Sequence, residues 1–405
     1  MTSTTIEASA AGNTTAAAPG PGSGEPGASG SVPGSLAAEP EPGMSESGAS
    51  DSVSGSLAAA LRRSTEIEGR IGREPHAFRI LTGDRPTGDL HLGHYFGTLR
   101  NRVRLQDAGA ELFVLIADYQ VLTDRDTAEA IGGHVLGLVL DYLAIGVDPA
   151  RSVIFAHSAV PELNQLLLPF LSLVTEGELR RNPTVKDEIA HSRQASVSGL
   201  MLTYPVHQAA DILAVKGNLV PVGQDQLPHV EVTRLIARRF NGRYPGAGGA
   251  PVFPEPDALL SDAPLLLGTD GGKMSKSRGN AIALRATADE TARLVKGAKT
   301  DGLRHVSYDP AARPEVSSLV LLAALCLGRD PVTVAGEIGG GGAALLKRTV
   351  TEAVNERFAP VRARRAELAA DPGYARQVLR DGCARARAAA AATLDEVRDA
   401  MGTRY

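Results

Sequence analysis

The chain has 405 residues, long enough for two or three domains, and a formal net charge of −4 with 43% hydrophobic residues. Its two cysteines, Cys326 and Cys383, are too few for a disulfide framework or a cysteine-based zinc site. No run approaches the roughly 20 consecutive apolar residues of a membrane helix, and the amino terminus lacks the cationic start and apolar segment of a secretory signal. We therefore expect a cytoplasmic protein with no membrane part.

Residues 1–70 are predicted to form a disordered, low-complexity acidic tail. They are rich in Gly, Ala, Pro, Ser, Thr and Glu, with isolated apolar residues, so they can bury too little surface to offset the entropy of ordering. Six acidic residues and no basic residue precede Arg62, which leaves a net charge of about +2 on the rest of the chain. The overall acidic balance therefore understates how the folded part presents itself to RNA.

Residues 71–285 alternate short apolar runs with amphipathic stretches, which is typical of βαβ units and a parallel sheet. The pattern predicts an α/β fold with a Rossmann-like nucleotide-binding domain. The predicted strands are residues 78–81, 111–118, 152–156 and 219–222. The predicted helices are residues 93–107, 127–145 and 226–240.

Residues 286–405 are predicted to form an all-helical domain, because their apolar residues recur at helical spacing. Residues 339–342 are a glycine run without the lysine and serine of a phosphate loop. The last segment, residues 373–401, places arginines among many alanines. These side chains form either a solvated helix face or a surface that contacts RNA, and both interpretations stay open for Arg376, Arg380, Arg385 and Arg387.

The first predicted strand ends in a turn, residues 83–94, whose composition suits phosphate binding. The end of a parallel strand that leads into a helix offers free backbone N–H groups and the positive end of a helix dipole. Gly83 and Gly88 allow the backbone to approach a ligand closely. His91 and His94 are three residues apart and share one side of the helix start, where their N–H groups can stabilise charge at the α-phosphate.

A second motif begins 182 positions after His91, at Lys273, and follows the glycine-rich segment 268–272. The glycines predict a loop that closes over bound nucleotide, and the two lysine ammonium groups can neutralise a leaving pyrophosphate. We predict Lys273 and Lys276 to be catalytic, together with the two histidines. The whole motif is predicted to contact ATP through Lys273, Met274, Ser275, Lys276 and Ser277.

The two motifs resemble the signature sequences of class I aminoacyl-tRNA synthetases. Residues 78–402 further resemble bacterial tryptophanyl-tRNA synthetases, most closely in residues 199–205, 209–213, 220–226 and 231–234. The resemblance implies ATP-dependent activation of L-tryptophan to tryptophanyl-adenylate, with Mg²⁺ accompanying the ATP and no protein-bound metal. It also implies transfer to tRNA-Trp, a homodimer, and a helical carboxy-terminal domain that reads the anticodon.

The same resemblance implies roles for individual residues. The family's aspartate at the position of Asp211 accepts the indole N–H, the one polar group of that side chain, and so rejects phenylalanine. A helix cap is the alternative role for this residue. Tyr204, Gln208 and Val222 match the amino-acid pocket. The remaining matches are ATP contacts, namely Arg85, Pro86, Thr87, Gly93, His94, Gly223, Gln224 and Asp225.

Several positions depart from the family pattern, including the family's Thr-Ile-Gly-Asn, which is His91-Leu92-Gly93-His94 here. Arg85 stands where the family has glutamine, Gln120 where it has histidine, and Gln208 where it has methionine. Glu188 replaces a lysine that contacts phosphate, which puts the ATP role of that segment in doubt. The departures predict a divergent branch of the family, a pattern compatible with an auxiliary second synthetase.

Three other functions stay open from the sequence. A tyrosyl-tRNA synthetase is possible because those enzymes also use a glutamine and an aspartate, here matched by Gln208 and Asp211, to recognise the substrate hydroxyl. A paralogue that binds tryptophan or tRNA without aminoacylation is a second alternative, although the intact signatures argue against it. A small-molecule adenylyltransferase that shares the His-x-Gly-His motif is the third.

Overall fold

The sheet consists of five strands, β1 (Arg79–Asp84), β2 (Glu111–Ile116), β3 (Ser152–Ala156), β4 (Leu219–Val222) and β5 (Asp257–Leu260). All are parallel, in the order β3-β2-β1-β4-β5. The computed structural model describes residues 47–123, 131–191, 197–260, 265–275 and 278–405, without the side chains of residues 47–56, 123 and 191. The strand order reverses at β1, and ligands of such sheets bind beyond the carboxyl ends of the strands at that point.

The α-helices of the described residues are α1 (Ser47–Ile71), α2 (Leu92–His94), α3 (Arg100–Ala108), α4 (Ile131–Ile145), α5 (Pro161–Leu171), α6 (Glu176–Arg181), α7 (Pro183–His191), α8 (Gly199–Ala214), α9 (Leu227–Arg243), α10 (Ala288–Lys296), α11 (Pro314–Leu327), α12 (Pro331–Ile338), α13 (Gly342–Ala370) and α14 (Pro372–Met401). One π-helical segment, Tyr95–Leu99, joins α2 to α3 without a break. Short 3₁₀ turns occupy Pro75–Ala77, Tyr119–Thr123, His157–Ala159, Gln224–Gln226, Ala247–Gly249 and Gly339–Gly341.

The core lies on both faces of the sheet, because successive strand residues point to opposite sides. One face carries Leu81, Phe113, Leu115, Val153 and Phe155, packed with residues of α5, α8, α9 and α14. The opposite face carries Ile80, Leu112, Val114, Ile116 and Ile154, packed with residues of α3, α4, α11 and α13. Burial on both faces explains why the strand sequences are continuous apolar runs.

The α/β fold with a Rossmann-like parallel sheet and a helical carboxy-terminal part is confirmed. The third and fourth predicted strands coincide with β3 and β4, whereas β1 runs to Asp84, three residues further than predicted. The predicted helix 127–145 appears as α4, and residues 127–130 of that prediction lie outside the described part of the chain. Strand β5 was not predicted, because it begins with Asp257 and Ala258 and only its last two residues are buried leucines, so it lacks a continuous apolar run.

The predicted tail extends too far along the chain, because α1 includes residues 57–70. Ile67 and Ile71 are buried in the core. The Ser64 hydroxyl, also buried, accepts a hydrogen bond of 2.9 Å from the backbone N–H of Leu260 in β5. Leu57 and Ala60 continue this stripe at helical spacing, which places one face of α1 against the domain. The apolar residues of α1 are scattered in the sequence, but they can pack against the domain because they lie on one face of the helix.

Helix α14 packs against β3, the strand at one edge of the sheet. A Cβ atom at Gly382 would collide with the carbonyl of Ile154, so only glycine permits this approach. Arg385 donates to the carbonyl of Pro149 at 2.9 Å, and Arg387 donates to Glu162 at 2.8 Å. These two arginines therefore bind the helix to the rest of the protein, and residues 51–405 form one compact unit. The proposed domain boundary near residue 285 stays a prediction.

Within the described part of the chain, no single helix is long and apolar enough to cross a membrane. Helix α11 and the segment Pro331–Ala370, which comprises α12 and α13, are bent by 111° relative to each other. Only together do they have the length and apolar composition of a membrane span.

Candidate functional site

A cavity of about 930 Å³ opens beyond the carboxyl ends of β1 and β4. Most of the predicted site residues line it: Arg85, His91, Gly93, His94, Tyr204, Gln208, Asp211, Val222, Gly223, Gln224, Asp225, Lys273 and Met274. Three others do not line it, namely Pro86, Thr87 and Ser275. Lys276 and Ser277 lie outside the described residues, so their placement stays a prediction.

The His-x-Gly-His motif forms the entry to the helix that follows β1. The imidazole centroids of His91 and His94 lie 3.7 Å apart. The backbone N–H of His91 donates to Nδ1 of His94 at 3.2 Å, which places the proton of a neutral His94 on Nε2. The π-helical segment Tyr95–Leu99 follows directly, and such segments are frequent at functional sites. The motif thus presents an N–H donor beside the positive end of a helix.

Backbone hydrogen bonds join the first motif to the segment that follows the second motif. The N–H of Leu92 donates to the carbonyl of Ile282 at 3.0 Å, and the N–H of Leu284 donates to Leu90 at 2.8 Å. A Cβ at Gly93 would lie 3.0 Å from Nδ1 of His91 and 3.4 Å from the sulfur of Met274. The tight approach at this glycine is therefore that of the His91 ring, and Met274 of the second motif lies nearby.

Asn280 holds the second motif in place. Its side chain is buried, accepts from the N–H of Ser275 at 2.8 Å, and donates to the carbonyl of Lys273 at 3.1 Å. It also donates to Asp270 at 2.7 Å. One amide thus connects both sides of the loop that presents Lys273.

A buried ion pair at the carboxyl end of β1 lines the cavity. Nη1 of Arg102 is 2.5 Å from Oδ2 of Asp84, and the Tyr142 hydroxyl donates to the same oxygen at 2.7 Å. Arg102 also donates to the hydroxyl of Thr82 at 3.0 Å. Burial raises the pKa of Asp84, but Arg102, the charge of His94 and the Tyr142 hydroxyl together lower it to about 2. The carboxylate that ends β1 is therefore ionised at neutral pH.

Asp211 lies in the last turn of α8, on the opposite side of the cavity. Its Oδ2 is 2.9 Å from Nε2 of His157, and both side chains are at most 1% exposed. Its Oδ1 is buried and has no hydrogen-bond partner among the described residues. Ser198, not Asp211, caps the start of α8, so the helix-cap alternative is wrong.

Tyr204 lies about two helical turns before Asp211 on α8, and two other side chains interact with its hydroxyl. Its hydroxyl is 3.2 Å from Nε2 of His229 and interacts with the carboxylate of Glu188. Burial lowers the pKa of His229 to about 4, so this imidazole is neutral at pH 7. Burial and then Glu188 raise the pKa of Tyr204. Glu188 therefore contributes to the wall of the pocket in this chain.

One group of described residues has the geometry to hold a metal ion. Ligand atoms of His157, His207 and Asp211 all lie within 4.8 Å of one another, and all three residues are buried. Two imidazoles and one carboxylate form a ligand set that zinc accepts.

The sequence analysis missed several residues that shape the site, namely Asp84, Arg102, Tyr142, His157, His229 and Asn280. His157 follows directly after the buried strand β3, so its position at the carboxyl edge of the sheet was a usable signal. No local sequence pattern identifies Asn280 or Arg102, because only folding of the loop and the sheet brings their hydrogen-bond partners close to them.

The cavity, its paired histidines and its lysine loop define a nucleotide-dependent acyl-activating site on a class I synthetase fold. The family described as tRNA synthetases class I (W and Y) matches residues 73–359.

A tryptophan–tRNA ligase of Clostridium longisporum is 42% identical over 337 residues, covering 80% of this chain and 97% of the relative. Among solved structures, tryptophanyl-tRNA synthetase from Campylobacter jejuni, complexed with ADP and tryptophan, has a TM-score of 0.69 at 30% identity and covers 80% of this chain and 99% of its own. The tyrosyl-tRNA synthetase of Archaeoglobus fulgidus, complexed with L-tyrosine, has a TM-score of 0.58 at 25% identity and covers 74% and 93%.

The chain belongs to the tryptophan–tRNA ligase family. The family resemblance seen in the sequence is thereby confirmed, as is the assignment to the ATP-using aminoacyl-tRNA synthetases, and tryptophan is favoured over the tyrosine alternative.

Proposed function

We propose that this chain activates L-tryptophan and transfers it to tRNA-Trp in two steps. First, a carboxylate oxygen of tryptophan attacks the α-phosphorus of ATP, and the bond from that phosphorus to the bridging oxygen of the β-phosphate breaks. Tryptophanyl-adenylate forms and pyrophosphate leaves with its Mg²⁺, which enters as part of the nucleotide substrate. A hydroxyl of the terminal tRNA ribose then attacks the acyl carbon, and AMP leaves.

At the phosphate end, catalysis consists of positioning and charge stabilisation. His91 and His94 donate to the phosphate that is transferred, and Lys273 and Lys276 neutralise the pyrophosphate that leaves. This division is supported by the cavity lining, which His91, His94 and Lys273 share. No side chain acts as a covalent nucleophile. The remaining ATP contacts are Arg85, Pro86, Thr87, Gly223, Gln224, Asp225, Met274, Ser275 and Ser277.

At the amino-acid end, Asp211 selects the indole. One observation carries this assignment: a carboxylate on the cavity wall has a buried oxygen without a partner among the described residues. A buried acceptor of this kind costs free energy until a donor reaches it, so a ligand with an N–H group is strongly preferred. Tyr204, Gln208 and Val222 form the surrounding wall.

The proposed assembly is a cytoplasmic homodimer that binds tRNA-Trp across both subunits. The carboxy-terminal helices contact the anticodon in this arrangement. Arg376 and Arg380 remain available for such a surface, whereas Arg385 and Arg387 are engaged with the body of the protein. The two free cysteines suit a reducing compartment.

Amino-acid-dependent exchange between ATP and pyrophosphate, measured separately with each of the twenty amino acids, tests the proposed reaction. We expect exchange with tryptophan, and charging of tRNA-Trp in a parallel aminoacylation assay. Exchange with tyrosine alone would transfer the assignment to tyrosine. Exchange with none of the amino acids would point to a binding paralogue without activity.

A further inference from the structure

His157 lies behind the proposed indole acceptor. It is the first residue after β3, and its side chain is fully buried. Its Nε2 is 2.9 Å from Oδ2 of Asp211, a residue 54 positions further along the chain. Asp211 lines the cavity, whereas His157 does not. The imidazole therefore contacts the carboxylate from the side that substrate does not reach.

The hydrogen bond determines what Asp211 can offer to a ligand. An ionised carboxylate has two acceptor oxygens. His157 occupies Oδ2, which leaves Oδ1 without a partner among the described residues. The indole ring carries one donor and no acceptor, so it matches a carboxylate with one available oxygen. A phenol hydroxyl is both donor and acceptor, and its lone pairs would find no donor on this carboxylate.

His207 provides a natural contrast. Its ring centroid is 4.7 Å from that of His157, and it is also buried. Its Nε2, however, lies 3.1 Å from Oδ1 of Asn164. Burial lowers the pKa of His207. Of these two neighbouring histidines, His157 hydrogen-bonds to Asp211 and His207 hydrogen-bonds to Asn164.

We propose that His157 is a positioning residue that sets the amino-acid specificity of this site. By holding Oδ2 of Asp211, it fixes the carboxylate orientation and leaves Oδ1 as the single acceptor for a ligand N–H donor. This inference rests on the proposed role of Asp211 in binding the indole.

The test compares tryptophan with β-(3-benzothienyl)alanine, in which sulfur replaces the indole N–H. Exchange between ATP and pyrophosphate, measured with each amino acid separately, gives KM and kcat for both substrates in wild type, His157→Leu, His157→Gln and the matched control His207→Gln. For the wild type, we expect KM to favour tryptophan by about 10- to 100-fold. For His157→Leu, the preference falls to within about threefold, while kcat and the KM for ATP stay within about threefold of wild type.

The glutamine variants separate positioning from packing. His157→Gln can still donate to Oδ2 and should keep most of the preference, as should His207→Gln. His157→Asn is too short to place a donor where Nε2 lies, and it should lose the preference. If the leucine variant does not fold, the comparison of glutamine with asparagine decides. Retention of the full preference by His157→Leu or His157→Asn would overturn the inference.

A separate outcome identifies failure of the underlying assignment. If wild type does not distinguish the two substrates, or if Asp211→Ala retains the preference, Asp211 does not bind the indole, and the inference about His157 falls with it. If Asp211→Ala loses the preference while His157→Leu keeps it, only the inference about His157 is wrong.

Discussion

Replacing Asp211 with alanine removes the acceptor that we assign to the indole N–H. In the variant the donor is left unpaired in a site that is nearly closed to water, since Asp211 is 1% exposed. A hydrogen bond to a charged acceptor contributes about 1.5–3 kcal/mol. The Kd for tryptophan should therefore rise about 10- to 150-fold. His157 loses its partner in both the free and the bound protein, so this loss largely cancels in the binding free energy.

The chain contains no tryptophan, so indole fluorescence in a titration comes from the ligand alone. Wild type should change the emission of bound tryptophan at ligand concentrations where the alanine variant gives little change. Comparison of the unfolding midpoints shows whether the variant is folded. Equal Kd values for the two folded proteins would refute the assignment of Asp211.

Three further predictions concern the other parts of the account. Lys273→Ala should lower the rate of exchange by about 100-fold with little change in tryptophan Kd, and parallel loss of both would contradict a role confined to pyrophosphate. Ile67→Ala should lower the free energy of unfolding by about 2–4 kcal/mol in urea titrations, whereas Leu61→Ala, at an exposed position of the same helix, should change it little. The pKa of Asp84 falls from its ordinary 3.8 to about 2 in the folded protein, so this group stabilises the fold above about pH 4 by about 2 kcal/mol and loses that contribution as pH falls towards 2. Asp84→Asn should remove that part of the acid dependence, and an unchanged acid profile would count against the ion pair with Arg102.

The sheet was predictable because its strands are buried on both faces. Continuous apolar runs such as residues 152–156 and 219–222 stand out from their surroundings, and β3 and β4 occupy those residues. Helix α1 was not predicted, because its packed face includes small or polar residues, Ala60 and Ser64, beside Leu57 and the isoleucines. These residues weaken the apolar pattern of the sequence. The stability of the helix depends on tertiary contacts with β5 that the local sequence does not reveal.

The residues of the candidate site also fall into two groups, those that the sequence predicts and those that only the folded structure reveals. The two signatures and Asp211 belong to motifs that are recognisable in one stretch of chain, and most of them line one cavity. His157 and Asn280 act through partners that folding brings to them. The arginines of α14 show that composition alone does not determine a role. A helix rich in arginine and alanine can bind RNA, and it can also pack against the edge of a sheet. Arg385 and Arg387 take the second role.

A crystal structure with bound tryptophan tests the central claim most directly. We predict that the indole nitrogen lies about 3 Å from Oδ1 of Asp211, while Nε2 of His157 remains on Oδ2. A tryptophan bound with its indole nitrogen on another group, or an Asp211 carboxylate turned away from the ligand, would contradict the account.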